Sequence, residues 1–487
     1  MNEKKVEKAD IGITVKKNED MPEWYSQVCL KAELADYGVT KGTMVIRPNG
    51  YAIWQKIQDY FNENIIKKTN ARNAYFPIFI PESFFKKEAE HAKGFTPEVA
   101  WIDPKVTGDG ERLAIRPTSE TIMYDSYSKW IRSYKDLPLK INQWCNIVRW
   151  ETQATKLFLR SREFLWQEGH CVYETERECK EETINYIKLY EKLCKELLAL
   201  PVITGMKTEK EKFAGAKTTY TIEAFMPDGK ALQCGTSHEL GQGFAKAFKI
   251  SYLGRDEKQN IPWQNSWGLS TRLIGALVMS HSDDKGLILP PNIAENKIVI
   301  IPIIKGSEKE IEKILNEAKK IEKELKSFNP IFDNRSEYTP GWKYNEWEMK
   351  GIPIRVEIGP KDIEKKSVMI ARRDNGEKRS IKISLLKKEI EKELNEIQDS
   401  LFNKAEKYLK SQIVSANNLQ ELIKNINQRK LVKVNFCGSE SCEDNIKDKT
   451  SGASSRVIPF DSKVLKGSKC INCGKPAEFE VYFAKSY

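Results

Sequence analysis

Four cysteines near the end of the chain constrain its fold more tightly than any other feature. Cys437 and Cys442 are followed by Cys470 and Cys473, a C-x4-C…C-x2-C arrangement. Two close thiolate pairs are what a tetrahedral Zn2+ requires, and four cysteines leave no coordination position open for catalysis. The spacing predicts a small zinc-binding unit, α+β in class, over 412–487. The other six cysteines, Cys29, Cys145, Cys171, Cys179, Cys194 and Cys234, are scattered without ligand spacing. That pattern reads as a reduced, intracellular protein and not as a disulfide scaffold.

A chain of 487 residues is too long for one ordinary core, so an α+β multidomain protein is expected. Short apolar runs at 74–80 and 146–150, and a β-branched, aromatic run at 218–225, predict strands. A helix at 183–200 lies between them. This layout implies an antiparallel-sheet core over 1–290, and Pro290-Pro291-Asn292 predicts a linker after it. Beyond the linker, 297–304 predicts a buried strand, 308–325 an amphipathic helix and 354–358 another strand. Segments 368–371 and 380–383 flank Asp374-Asn375-Gly376, a hairpin signal. Leu386, Ile390, Leu394, Ile397 and Leu401 recur at helical spacing and predict one apolar stripe packed on its own domain. These elements make up an α/β domain over 296–411.

Lys and Arg number 80 against 69 Asp and Glu, a formal charge of +11, and such an excess suits a polyanionic partner. Residues 1–20 are studded with charge and hold no apolar stretch, which argues against a secretory signal. No uncharged apolar run reaches 18 residues, so no membrane span is expected. A cytoplasmic protein is the expectation.

Three clusters carry chemistry. Arg149-Trp150-Glu151 ends an apolar strand, and Arg160 and Arg162-Glu163-Phe164 follow. Planar, always-charged guanidinium groups at a strand end and in the next loop suit a polyphosphate. Asn265-Ser266-Trp267-Gly268-Leu269-Ser270-Thr271-Arg272 leads into an apolar helix at 273–279, where a glycine permits close ligand approach. Tyr75-Phe76-Pro77-Ile78-Phe79-Ile80-Pro81 is an apolar run closed by proline.

In chain order these clusters resemble the three signature motifs of class II aminoacyl-tRNA synthetases. Arg116-Pro117-Thr118-Ser119-Glu120, Trp166-Gln167-Glu168-Gly169-His170, Lys212-Phe213-Ala214-Gly215 and Gln233-Cys234-Gly235-Thr236-Ser237-His238 narrow the resemblance to the prolyl-tRNA synthetase family. It runs from about Val15 to Tyr487 and looks like the archaeal and eukaryotic form, with a C-terminal zinc domain. It implies a ligase that activates L-proline with ATP and Mg2+, releases pyrophosphate, and transfers proline to tRNA(Pro). Carried over residue by residue, it implies an ATP site of Arg149, Glu151, Arg160, Phe164, Gln233, Thr236 and Arg272, with Arg149 and Arg272 as the catalytic pair. The proline site would be Thr118, Glu120, Arg149, Trp166, Glu168, His170, Phe213, His238, Ser266 and Gly268. The 296–411 domain resembles an anticodon-binding domain, with Trp342, Glu346, Lys350, Arg355 and Arg372 as candidate tRNA contacts. Tyr487 fits the family's terminal tyrosine, which approaches the active site. The first motif lies at a two-fold interface in the family and implies a homodimer.

Cys234 is left open between an inert and a reactive thiol, and His91 and His281 are read as structural. About ninety residues separate Cys171 from Pro262, cramped for an editing domain, so the chain is expected to activate some alanine. Two other readings fit the residues less well. Another class II synthetase, such as threonyl, calls for a catalytic-domain zinc with Cys/His ligands, and no suitable trio stands among the motifs. A non-catalytic paralogue binding RNA predicts lost phosphate arginines, yet Arg149, Arg160 and Arg272 are all present. Neither DNA nor a membrane is expected as a partner.

Overall fold

Six strands with a two-residue period form the centre of this computed structural model, which describes residues 12–89, 99–108, 110–150 and 154–487. They are β1 (Leu139–Val148), β2 (Glu163–Tyr173), β3 (Ile203–Met206), β4 (Thr218–Phe225), β5 (Lys230–Gly241) and β6 (Trp263–Ser270). All pair antiparallel, in the order β3-β4-β5-β6-β2-β1. Along β2, Leu165, Cys171 and Tyr173 pack into the main core, while Phe164, Trp166, Glu168 and His170 face a cavity on the other side. Alternation of this kind is what a pleated strand imposes on one apolar and one polar face.

Two helices seal the apolar face. α1 (Glu176–Glu196) starts earlier than the apolar spacing suggested, because the Thr175 side chain caps it by accepting from the Glu178 amide at 3.2 Å. It buries Tyr186, Tyr190 and Leu193, and α2 (Arg272–His281) buries Leu273, Ile274 and Leu277 beside them. Between sheet and helices lies Trp267, stacked on Tyr186 with ring centroids 4.0 Å apart.

The run at 74–80 does not form the strand its composition suggested. Only Phe79–Pro81 is a strand, in a separate three-stranded sheet with Trp101–Ile102 and Leu113–Ile115. Pro77 has no N–H to give a ladder, so pairing starts after it. Between β2 and β6 the chain forms α1, β3, β4, β5, the short helix Gly243–Ala247 and the two-stranded ribbon Tyr252–Leu253 with Gln259–Asn260. No further domain is inserted there.

The next unit has β7 (Ile298–Pro302), β8 (Ile354–Ile358), β9 (Ser367–Arg372) and β10 (Lys378–Lys382), in that order, with Ile331–Phe332 at the edge. β9 and β10 form the hairpin around Gly376, whose φ of 75° is the left-handed conformation glycine favours. α3 (Pro340–Met349) and α4 (Leu386–Gln412) belong to this unit, and the apolar stripe of α4 is buried. The segment read as a linker is a packed seam. Leu287, Leu289 and Ile293 enter the first core, Ile288 enters the second, and Pro290 and Pro291 are buried. Arg373 clamps the seam by donating to both oxygens of Asp283, at 2.9 and 2.6 Å.

The C-terminal strands β11 (Leu431–Phe436), β12 (Ser454–Pro459) and β13 (Phe479–Ser486) pack with the helix α5 (Glu440–Lys449). Their sheet does not stop at the edge of the unit. β12 pairs antiparallel with β3, so eleven strands run continuously from Ile413–Ser415 to Arg72–Asn73. No helix among the described residues is long and apolar enough to cross a membrane.

Gly169, in the middle of β2, has a packing reason to be glycine: a Cβ there would lie 2.2 Å from the Trp267 ring. That ring is pinned by Tyr186 and cannot yield. Gly169→Ala is expected to destabilise the sheet by about 1–3 kcal/mol, read as an earlier urea transition. An unchanged midpoint would contradict this packing.

Candidate active site

The polar face of the sheet lines a cavity of about 300 Å3. β2 supplies Phe164, Trp166, Glu168 and His170, and β6 supplies Ser266, Gly268 and Ser270. β5 reaches it through a bulge. Ile222 pairs with Gly235 but Glu223 with Gln233, leaving Cys234 as the extra residue. The bulge re-aims the strand, so Gln233 and Thr236 both line the cavity, and the buried Cys234 borders the cavity and the main core. Burial pushes the Cys234 thiol up to about 12, which makes it inert at neutral pH.

One end of the cavity is acidic. Thr118 bonds Glu120, which begins the helix Glu120–Trp130, and both residues are buried. Glu168 accepts from the Ser119 amide at 3.2 Å, from Gln143 Nε2 at 3.1 Å and from the Ser119 hydroxyl. His170 Nε2 lies 3.1 Å from Glu168 Oε2, and its Nδ1 lies 3.0 Å from the Tyr124 hydroxyl. Burial pushes Glu168 up, but bonds from His170, Ser119 and Gln143 outweigh it and hold the carboxyl below its ordinary value. Burial pulls His170 down, and Glu168 with Glu120 overcomes that and raises it. Each partner thus favours the charged form of the other. One ligand atom each from Glu120, Glu168 and His170 lie within 4.8 Å of one another, a cluster the motifs did not advertise. Two carboxyl groups beside one imidazole make this the acidic corner of the cavity, and carboxyl oxygens at a cavity wall suit an ammonium guest.

The other end is basic. Arg149 follows β1 directly, donates to the Pro117 carbonyl at 3.2 Å, and sits 5.8 and 5.6 Å from the Phe164 and Trp166 ring centroids. Arg272 opens α2 and donates to the carbonyls of Leu159 (3.2 Å) and Gln233 (3.3 Å). Burial lowers its pKa, and the charges of Arg149 and Arg160 lower it further. Guanidinium groups gathered at one place suit an anionic ligand. Arg160 stands outside the cavity lining, on a tight turn where it and Lys156 exchange backbone bonds at 2.9 and 2.7 Å. Glu151 and His91 lie outside the described residues.

Every residue assigned to proline, from Thr118 to Gly268, lines this one cavity. Sequence reasoning missed Glu211 and Thr219, which also line it, and Ser119 and Gln143, which hold Glu168. It also missed the anchor Arg116, 1% exposed, which donates to the carbonyls of Phe76 (2.7 Å) and Asn146 (2.9 Å). The polar residues packed beside recognised motifs were their only signal. Tyr487 is absent from the lining: its hydroxyl donates to Asp228 at 2.6 Å and touches the Met279 sulfur of α2 at 3.1 Å.

At the far end of the chain, the four sulfurs of Cys437, Cys442, Cys470 and Cys473 converge within 4.8 Å. The Cys437–Cys473 separation is 3.8 Å, close to the tetrahedral edge of about 3.8 Å that Zn–S bonds of about 2.3 Å produce. The donor set fits that ion. In the middle domain the five candidate tRNA contacts divide. Trp342 stacks on Tyr338 at 3.8 Å with the Arg335 guanidinium over both rings. Glu346 pairs with Arg335 and Lys350, and Lys350 also reaches Glu33 at 3.3 Å. Arg355 and Arg372 are drawn inward, Arg355 onto Glu348 and Glu357, and Arg372 onto Asp374 and Glu393. Internal ion pairs thus occupy four of the five, Glu346, Lys350, Arg355 and Arg372, while Arg335 and Tyr338 complete an aromatic platform around Trp342.

His238 bonds Thr219 through Nδ1 at 3.0 Å and lies against Phe213, ring centroids 4.8 Å apart. Burial, then the charge of His170, pulls it down to about 3 from an ordinary 6.5. The unfolded chain takes up this proton near 6.5 and the folded one does not, so stability present above that pH drains away as pH falls toward 3. His281, bonded to the Leu198 carbonyl at 2.9 Å and pulled down to about 4 by burial, acts in the same sense. His238→Gln is expected to lose less stability than wild type between about pH 7 and about pH 5. Parallel urea titrations with equal losses would refute this origin.

Comparison with known proteins now bears on this geometry. The family described as tRNA synthetase class II core domain (G, H, P, S and T) matches residues 104–281, Anticodon binding domain matches 297–393, and Prolyl-tRNA synthetase, C-terminal matches 419–487. A proline–tRNA ligase of Natranaerobius thermophilus is 49% identical over 96% of this chain and 97% of its own. Proline–tRNA ligase 2 of Clostridioides difficile is 48% identical over 99% and 100%. The crystal structure of prolyl-tRNA synthetase from Cryptosporidium parvum, complexed with L-proline and AMP, superposes with a TM-score of 0.93 at 43% identity, covering 100% of this chain and 99% of that one. With an acidic corner, two arginines and one face of an antiparallel sheet lining one cavity, and relatives of this likeness along its whole length, the chain belongs to the prolyl-tRNA synthetase family.

Proposed function

We propose that the cavity binds L-proline and ATP together, forms prolyl-adenylate, and passes proline to the 3′ end of tRNA(Pro). The observation that carries this reading is the polarity of the site: Glu120 and Glu168 at one end, Arg149 and Arg272 at the other. A zwitterionic amino acid fits that gradient in one orientation. Its secondary ammonium donates to Thr118, Glu120 and the Glu168–His170 corner, and its carboxylate turns to Arg149. Trp166, Phe213, His238, Ser266 and Gly268 enclose the ring.

The carboxylate attacks the α-phosphate and displaces pyrophosphate. Catalysis is then positioning plus stabilisation of developing charge. Arg149 bridges carboxylate and α-phosphate, Arg160 and Arg272 hold the distal phosphates, and Phe164 stacks on adenine opposite Arg272. Gln233 and Thr236 line the ribose edge. ATP enters as its Mg2+ complex. Proline-dependent exchange of pyrophosphate into ATP tests the whole reading, and a lack of exchange with proline would end it. In that assay Arg149→Ala is expected to fall by about a hundredfold or more with the fold intact, and Arg272→Ala comparably. Near-normal exchange by folded Arg149→Ala would remove that arginine from the mechanism.

The same reading divides the chain at 1–290, 296–411 and 412–487 and places the anticodon on the middle domain, with unstacked bases meeting the Tyr338–Trp342 platform. It assigns one structural Zn2+ to Cys437, Cys442, Cys470 and Cys473, contributing folding free energy and no step of the reaction. Elemental analysis of unoxidised protein should give one zinc per chain, lost in Cys470→Ser; protein without metal would overturn this. It also makes the protein a cytoplasmic homodimer. Tyr75 and Phe79 on the first-motif segment are 70% and 49% exposed, apolar surface suited to an isologous contact. Light scattering should report about twice the 56.1 kDa chain mass; a 56.1 kDa species at micromolar concentration would count against it.

A further inference from the structure

Residues 207–216 join β3 to β4 and touch two domains at once. On one side the segment contributes Glu211 and Phe213 to the wall of the cavity. Phe213 is fixed there by its amide, which donates to Thr219 Oγ1 at 2.9 Å, and by its ring contact with His238. The other side is held by the C-terminal domain. Thr208 Oγ1 donates to Glu443 Oε2 of α5 at 2.9 Å, and Ser455 of β12 donates to the other oxygen of Glu443 at 2.6 Å. Lys210 pairs with Asp444. The Thr208 carbonyl in turn accepts from the amides of Glu211 (3.2 Å) and Lys212 (3.0 Å), so the residue gripped from outside also shapes the turn that presents the wall.

Charge reinforces the grip. Arg456 of β12 donates to Glu223 at 3.1 Å and lies 3.8 Å from Glu211, while Lys207 donates to Glu223 at 2.6 Å and to the Arg456 carbonyl at 2.8 Å. Two cations and two carboxylates balance in a nearly dry place, with Lys207, Glu223 and Arg456 all under a tenth exposed. Removing Arg456 leaves Glu211 and Glu223 with one cation between them, and an uncompensated buried charge is resolved by movement or hydration. The group free to move is Glu211, on the loop.

We propose that the C-terminal domain sets the shape of the amino-acid pocket, with Arg456 and Glu443 as positioning residues that hold Glu211 and Phe213 in its wall. Neither touches the cavity; each acts through the 207–216 segment. The inference rests on the reading of the cavity as the proline site. Its signature is selective: the acidic, proline end of the cavity is disturbed, while the arginine end keeps its geometry.

The test is proline-dependent pyrophosphate–ATP exchange on the full-length protein, with KM for proline and for ATP measured separately. Arg456→Met is expected to raise KM for proline about tenfold with KM for ATP unchanged. Arg456→Lys is expected to restore part of the loss. In a Glu211→Gln background, Arg456→Met should add little, because the charge it compensates is gone. Thr208→Val removes the grip of Glu443 without changing any charge, and is expected to raise KM for proline several-fold. It carries the test alone if Arg456→Met fails to fold. An unchanged KM for proline in folded variants, equal rises in both constants, or additive effects of Arg456→Met and Glu211→Gln would each overturn the inference. Wild-type protein without proline-dependent exchange would instead reject the functional reading, so the two failures are distinct.

Discussion

The two-residue period of an antiparallel sheet is the constraint on which this molecule rests. β2 needs Leu165, Gly169, Cys171 and Tyr173 beneath it to pack against α1, α2 and Trp267, and the residues between them then have one place to go. Phe164, Trp166, Glu168 and His170 are delivered to the cavity by the same pleat that builds the core. A one-residue slip would exchange the two sets, burying an acid in the core and exposing the apolar residues. β5 departs from the rule at Cys234, where its bulge brings Gln233 to the same side as Thr236.

Burying carboxylates in that cavity is costly unless each is paired. Glu168 is held ionised by His170, Ser119 and Gln143, and Thr118 bonds Glu120. Buried carboxyl groups and the guanidinium groups of Arg149 and Arg272 line one small space. On the proposed reading, that pairing suits a substrate with ammonium and carboxylate on one carbon. No side-chain nucleophile is needed, because the reacting groups belong to the substrates.

Much of this was legible in the chain. The hairpin around Gly376, the stripe of α4, the strand Thr218–Phe225 and the converging cysteines follow from local chemistry: turn preference, helical period, β-branching and ligand spacing. The cavity residues were legible because they sit within long ordered motifs. Where local signals misled, a nonlocal partner decided. The Pro290–Pro291 segment proved to be a buried seam between two cores, and Arg372 turned inward to Glu393 of α4. Arg116, Gln143 and Glu211 gave no pattern of their own, since a buried polar residue is recognisable only by what surrounds it.

The sequence by itself determined the family, the chemistry and many of the residues that line the cavity, because reaction and ligand dictate residue types that stay together in short motifs. Tertiary structure decided how those motifs are held. It ran one sheet through two domains and put Arg456 and Glu443 behind the wall of the pocket. It also made Cys234 inert through burial. Pairing between β3 and β12, and the ion network beside it, join residues about 250 positions apart. No local propensity encodes such a contact, because its free energy appears only once both partners are folded against each other.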